Sequence, residues 1–191
     1  ADDVFEPYVA AGIEDGESFA SWPEERRRVL LERELRSARP FASPGVTLGD
    51  EARAVLDCYQ VLVEHRDNWG VEGIGASIVS MTRSAADLFA VYLLAREVGL
   101  ARMTEQGLCC DVPVVPLFET IDDLEASPKI VGAFLDHPVT QRSLHRTPRG
   151  DATLQVMIGY SDSCKDGGIF TSQWALHETQ GALARLGKER Q

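Results

Sequence analysis

Apolar residues along this chain follow two kinds of spacing, and the change between them divides it. Ala52, Val55, Leu56, Tyr59, Leu62 and Val63 recur at helical spacing and predict a helix from about Asp50 to His65. Upstream, Ser21 and Glu24 have capping-box spacing with Pro23 between them, which predicts a helix to about Ala38. Its apolar face is Val29, Leu30, Leu31 and Leu35, and Pro40 stops it. From Gly73 onward, short apolar runs suited to buried strands alternate with helical stretches. The strand candidates are Gly73–Met81, Asp111–Thr120 (interrupted by Pro113 and Pro116) and Leu154–Tyr160. Between them, Ser84 and Asp87 open a helix over Ala85–Val98 that Gly99 closes. Short helices are expected around 122–126 and 128–136, then a basic surface loop over 137–152 in which His137-Pro138 is a turn. A last helix, Ile169–Leu186, is closed by Gly187.

This β-α-β-α-β-α order predicts a helix-rich α/β fold with parallel strands, either an open doubly wound sheet or part of a barrel. Closing a barrel takes about eight strands, so three β-α units are at most a partial (β/α)8 TIM-type barrel. The expected division is a weakly ordered acidic start over 1–20, a helical lead-in over 21–70 and β-α units over 71–187, all within one domain spanning 1–191. No internal repeat or low-complexity linker interrupts it.

Charge narrows the partners. A net charge of −11 argues against a nucleic-acid or acidic-membrane surface, while a few local cations or a metal ion still admit small anions. Cys58, Cys109, Cys110 and Cys164 form no C-x-x-C pair and are expected to be reduced thiols of a cytoplasmic protein. No signal-peptide pattern or membrane-length apolar run is present. Arg26, Arg27 and Arg28 alternate with glutamates and suit a solvated helix face. His65 suits a helix C-terminus. Gly73 and Gly75 precede their apolar run, the wrong order for a phosphate cradle.

Candidate chemistry collects where the strands end. Gln155–Gly168 (QVMIGYSDSCKDGG) takes a short apolar run into a polar loop holding Ser161, Asp162, Ser163, Lys165 and Asp166, after which Gly167-Gly168 opens a helix. The second strand delivers Glu119, and the first delivers Ser80, Thr82 and Arg83. Parallel strands present their exits on one side, where α/β proteins place active sites. Carboxylates from two neighbouring strands, completed by water or substrate oxygens, suit Mg²⁺ or Mn²⁺. A lysine beside them can neutralise an anionic substrate or a developing enolate. The same three side chains could equally cap helices and form salt bridges, and spacing alone leaves both readings open.

The run V-M-I-G-Y-S-D-S-x-K-D-x-G at 156–168 resembles the lysine active-site signature of phosphoenolpyruvate carboxylases. V-V-P-L-F-E-T-I-D-D-L at 114–124 resembles that family's glutamate strand. I-V-S-M at 78–81, S-A-A-D-L-F-A-V-Y-L-L-A-R-E-V-G at 84–99 and L-L-E-R-E-L-R-S-A-R-P-F at 30–41 are similar to it too. The resemblance covers roughly residues 22–187. It implies that Glu119 and Asp162 ligate Mg²⁺ or Mn²⁺ and that Lys165 is the active-site lysine near bicarbonate. It also implies that Leu117 and Met157 line the pocket around the phosphoenolpyruvate methylene group. The implied reaction joins phosphoenolpyruvate and bicarbonate to give oxaloacetate and phosphate, through carboxyphosphate and a metal-stabilised enolate. The implied setting is a cytoplasmic, allosteric homotetramer.

The chain departs from the family's pattern mainly by omission. T-A-H-P-T, the glycine-arginine loop G-R-G-G-x-x-G-R-G-G and the C-terminal residues associated with aspartate feedback do not occur in these 191 residues. The expectation is therefore a central piece of a longer enzyme, inactive alone, with sticky parallel edges. Two alternatives are another phosphoenolpyruvate- or enolate-handling barrel, a lyase or mutase, and a non-catalytic interaction module derived from the barrel.

Overall fold

A computed structural model describes residues 16–41, 48–144 and 152–190. The expectations for residues 1–15 and for the basic stretch 145–151 lie outside them. A 3-10 turn, Gly16–Ser21, leads into α1 (Glu24–Leu35) and α2 (Asp50–Trp69). Then come β1 (Ser77–Val79), α3 (Ala85–Val98), β2 (Ala101–Thr104), β3 (Gly107–Cys110) and β4 (Val114–Phe118). The chain continues through α4 (Ile121–Asp136), α5 (Pro138–Leu144), β5 (Met157–Ile158) and α6 (Tyr160–Glu189). Five strands and six α-helices are thus present among the described residues. None of these helices is long and apolar enough to cross a membrane.

The three expected strands form one small parallel sheet in the order β1-β4-β5. Val79 lies opposite Pro116, and Leu117 opposite Met157. Phe118 and its neighbour Ile158 face the helices, where Phe118 is fully buried and Ile158 lies near Val131 and Leu183. Leu117 and Met157 lie on the opposite face and are half-buried. The sheet is open, and the described residues close no barrel.

Helix α3 is the centre of the core. Its run from Ala85 to Ala90 is buried on every side, as are Tyr92 to Ala95, because α1, α2 and the β2–β3 hairpin all pack on it. The helix ends at Gly99, whose φ of 86° is the left-handed cap that its position predicts. Against it stands Phe134 of α4, whose ring centroid lies 5.5 Å from that of Tyr92 of α3.

Several local expectations are corrected. The Ser21–Glu24 capping box does not form: Pro23 stands at the N-cap of α1, and the Ser21 hydroxyl donates to the Ser18 carbonyl at 2.7 Å. Val29 is exposed, leaving Leu30, Leu31 and Leu35 as the buried face. As expected of a solvated helix face, Arg28 is tied to Glu25 at 2.8 Å and Glu32 at 3.3 Å, and Arg26 lies over the Trp22 ring at 3.5 Å. The β2–β3 hairpin, with Cys109 and Cys110 buried in it, falls in a stretch for which no element was expected.

One continuous helix, α4, replaces the two short ones expected around Pro128. A proline inside a helix leaves the carbonyl four residues earlier without its N–H partner. That carbonyl, on Leu124, accepts instead from the Ser127 hydroxyl at 2.7 Å and from Thr179 of α6 at 3.0 Å. The helix stays intact because both side chains restore the lost bond. His137-Pro138 is not a turn: His137 caps α4 and Pro138 opens α5, a first helical position that suits proline. All four cysteines are free thiols, and burial pushes the Cys110 thiol up to about 12.

Candidate active site

Glu119 and Gly159 follow directly on two neighbouring parallel strands, and a glycine is what lets them meet. The Gly159 N–H donates to the Phe118 carbonyl at 2.7 Å. A side chain at 159 would place its Cβ 3.2 Å from the Glu119 backbone and from the Phe118 carbonyl. This approach sets the start of α6 against Glu119.

The expected polar loop after β5 is helical. Tyr160 begins α6, and the helix bends at Gly168, whose φ of 76° and ψ of 164° no other residue adopts readily. The buried Ser163 hydroxyl donates to the Gly159 carbonyl at 2.6 Å and meets the Ser172 hydroxyl at 2.7 Å, joining the two sides of that bend. Asp166 accepts from the backbone N–H of Ile121 at 2.9 Å and so supports the start of α4. Ser163 and Asp166 are therefore scaffold.

Asp162 and Lys165, one helical turn apart, point outward and pair at 2.8 Å with side chains 50% and 74% exposed. The Lys165 ammonium, hydrogen-bonded to Asp162, holds the Asp162 carboxyl below the usual carboxylate range, and the Glu119 side chain lies within reach of Asp162. Asp162 in turn raises the Lys165 pKa. The tertiary structure thus brings Glu119, Asp162 and Lys165 together. Leu117 and Met157 sit behind them as register partners on the half-buried face.

Ser80 and Met81 of the β1 exit also reach this group. The Ser80 hydroxyl and the Met81 backbone N–H each donate to Glu119 Oε2 at 2.8 Å. Ser80 stood out in the sequence only as a hydroxyl at a strand exit, and nothing there marked the Met81 N–H. No cluster of three or more His, Cys, Asp or Glu side chains able to hold a metal occurs among the described residues. The donors available are two carboxylates, and that set fits a hard cation that keeps several waters or substrate oxygens in its shell.

Fold and site define a helix-rich α/β region with its polar groups gathered at neighbouring parallel strand exits, the arrangement of α/β enzymes. A model of the phosphoenolpyruvate carboxylase family matches residues 4–191. A phosphoenolpyruvate carboxylase of Methylorubrum extorquens is 46% identical over 140 residues, covering 73% of this chain and 15% of its own length. One from Rhodothermus marinus is 40% identical over 183 residues, covering 92% of this chain and 19% of its own. Phosphoenolpyruvate carboxylase 4 of Arabidopsis thaliana is 36% identical over 166 residues, covering 85% of this chain and 16% of its own. The chain belongs to the phosphoenolpyruvate carboxylase family, and it spans less than a fifth of the length of these relatives.

Proposed function

We propose that this chain supplies the glutamate, aspartate and lysine of an active site that carboxylates phosphoenolpyruvate with bicarbonate, giving oxaloacetate and phosphate. The observation that carries the reading is the meeting of Glu119 and Asp162 across two adjacent strand exits, with Lys165 2.8 Å from Asp162. Glu119 and Asp162 would hold Mg²⁺ or Mn²⁺, which when bound offsets negative charge on phosphate and enolate oxygens. The Lys165 ammonium, kept protonated by Asp162, offers a cation to bicarbonate. Leu117 and Met157 give an apolar wall that keeps water from the substrate's methylene group.

The wider reading is one (β/α)8 barrel domain in a cytoplasmic homotetramer, to which these three β-α units contribute. Its support is the parallel order β1-β4-β5 and apolar surface that further structure would cover. Ile78 is 53% exposed, Trp174 67% and Phe170 91%.

Mn²⁺ titration followed by electron paramagnetic resonance tests the site. Weak saturable binding is expected, lost when Glu119→Ala and Asp162→Ala are combined. Unchanged binding in the double variant overturns the metal assignment. The 191-residue chain is expected to form no oxaloacetate, since it holds neither the T-A-H-P-T motif nor the glycine-arginine loop. Bicarbonate-dependent oxaloacetate formation by this chain alone contradicts that.

A further inference from the structure

The turn that leaves β1 is built as a clip on the end of β4. Thr82 is fully buried and makes three hydrogen bonds, two to Leu117 of β4 and one back to Val79 of β1. Its hydroxyl donates to the Val79 carbonyl at 2.7 Å and accepts from the Leu117 N–H at 3.3 Å, while its own N–H donates to the Leu117 carbonyl at 3.1 Å. Between Val79 and Thr82 the chain turns through Met81, whose φ of 52° makes it the one non-glycine residue with positive φ among the described residues. A residue with a side chain is disfavoured in this left-handed region. The turn brings the Met81 N–H and the Ser80 hydroxyl onto the same carboxylate oxygen, Glu119 Oε2.

Two donors on one oxygen fix the glutamate's rotamer and occupy Oε2. Oε1 is then the oxygen left for a ligand. Neither donor lies on the strand that carries Glu119. Backbone strain held by a buried hydrogen-bonded residue, beside a polar cluster, marks a place where conformation serves the site.

We propose that Ser80 is a positioning residue, which together with the Met81 N–H holds Glu119 in the orientation that ligates a divalent cation. This rests on the metal reading above. Ser80 touches no substrate in this scheme, and it acts through Glu119 as an outer hydrogen-bonding partner of a metal ligand. Thr82 has the different task of fixing the turn.

The test measures Mn²⁺ affinity by electron paramagnetic resonance on the whole chain, as wild type and as Ser80→Ala, Ser80→Thr, Thr82→Val and Glu119→Ala. Urea midpoints are read for each. Ser80→Ala is expected to weaken Mn²⁺ binding about tenfold at an unchanged urea midpoint. Ser80→Thr, which keeps the hydroxyl, is expected to restore affinity to within about twofold. Thr82→Val is expected to lower the urea midpoint, as a structural residue should. Wild-type affinity in Ser80→Ala, with Glu119→Ala abolishing binding, overturns the positioning role and leaves the metal reading standing. Absence of binding in the wild type, or full binding in Glu119→Ala, overturns both.

Discussion

At the β4–α4 turn, Thr120 and Asp123 exchange hydrogen bonds with each other's backbone, and Asp166 adds another at Ile121. At the β1–α3 turn, Asp87 accepts from the backbone of Arg83 and Ser84 at 3.0 and 2.8 Å. Asp87 and Asp123, which cap these two helices, are buried and accept from backbone N–H groups of the scaffold. The β5–α6 turn is built differently. Gly159 supplies no side-chain cap, and Asp162 and Lys165 stand in solvent, paired with each other beside Glu119. One sequence feature, an acid just after a strand, thus has two uses. Where it closes a helix end it holds the fold, and where it projects from one it remains available to a ligand.

Substitutions can break this contrast or sharpen it. The largest effect is expected at the scaffold turn. Asp87→Ala leaves two backbone N–H groups without their charged acceptor and should cost about 3 kcal/mol in urea unfolding. A loss below about 0.5 kcal/mol would place Asp87 with ordinary surface residues. Gly168→Ala comes next. Its backbone conformation is nearly closed to other residues, so stability should fall by about 2 kcal/mol. An unchanged urea midpoint would mean that α6 straightens without penalty.

The scaffold also sets a pH response. Burial first, then the charges of Arg142 and Arg36, push the His137 imidazole down to about 4, and its ring lies 4.4 Å from Phe89. An unfolded histidine titrates near about 6.5, so the unfolded chain binds more protons between these values. Stability from this residue is full above about pH 6.5 and is lost as pH falls toward 4. Urea midpoints at pH 7.5 and pH 5 should differ, and His137→Gln should reduce the difference. An identical slope in the variant refutes it. The smallest effect is expected at the site. Lys165→Ala should leave the urea midpoint unchanged, because exposed pairs contribute little to folding. A clear loss of stability would make Lys165 part of the scaffold and erase the contrast.

Much of the scaffold was legible because its signals are local. The apolar run Ala85–Val98, flanked by Ser84 and Gly99, fixes α3 within a few residues of sequence, and three strands between helices fix the parallel order. Elements whose partners are distant were misread. Pro128 reads as a helix break until Thr179, far along the chain, supplies a bond to Leu124. The Ser161–Asp166 stretch reads as a loop because its residues are polar, and it is helical because Gly159 and the Ser163–Ser172 contact fix its start.

The same boundary runs through the site. The sequence by itself determined the identities of Glu119, Asp162 and Lys165 and their places at strand exits, since residue type and strand period are local properties. Only the tertiary structure decided that Asp166 serves the scaffold while Asp162 does not, and that Ser80 and Met81 hold Glu119. Those assignments depend on strand register and on a close backbone approach at Gly159. Such contacts join residues far apart in sequence, so no short stretch of sequence carries them.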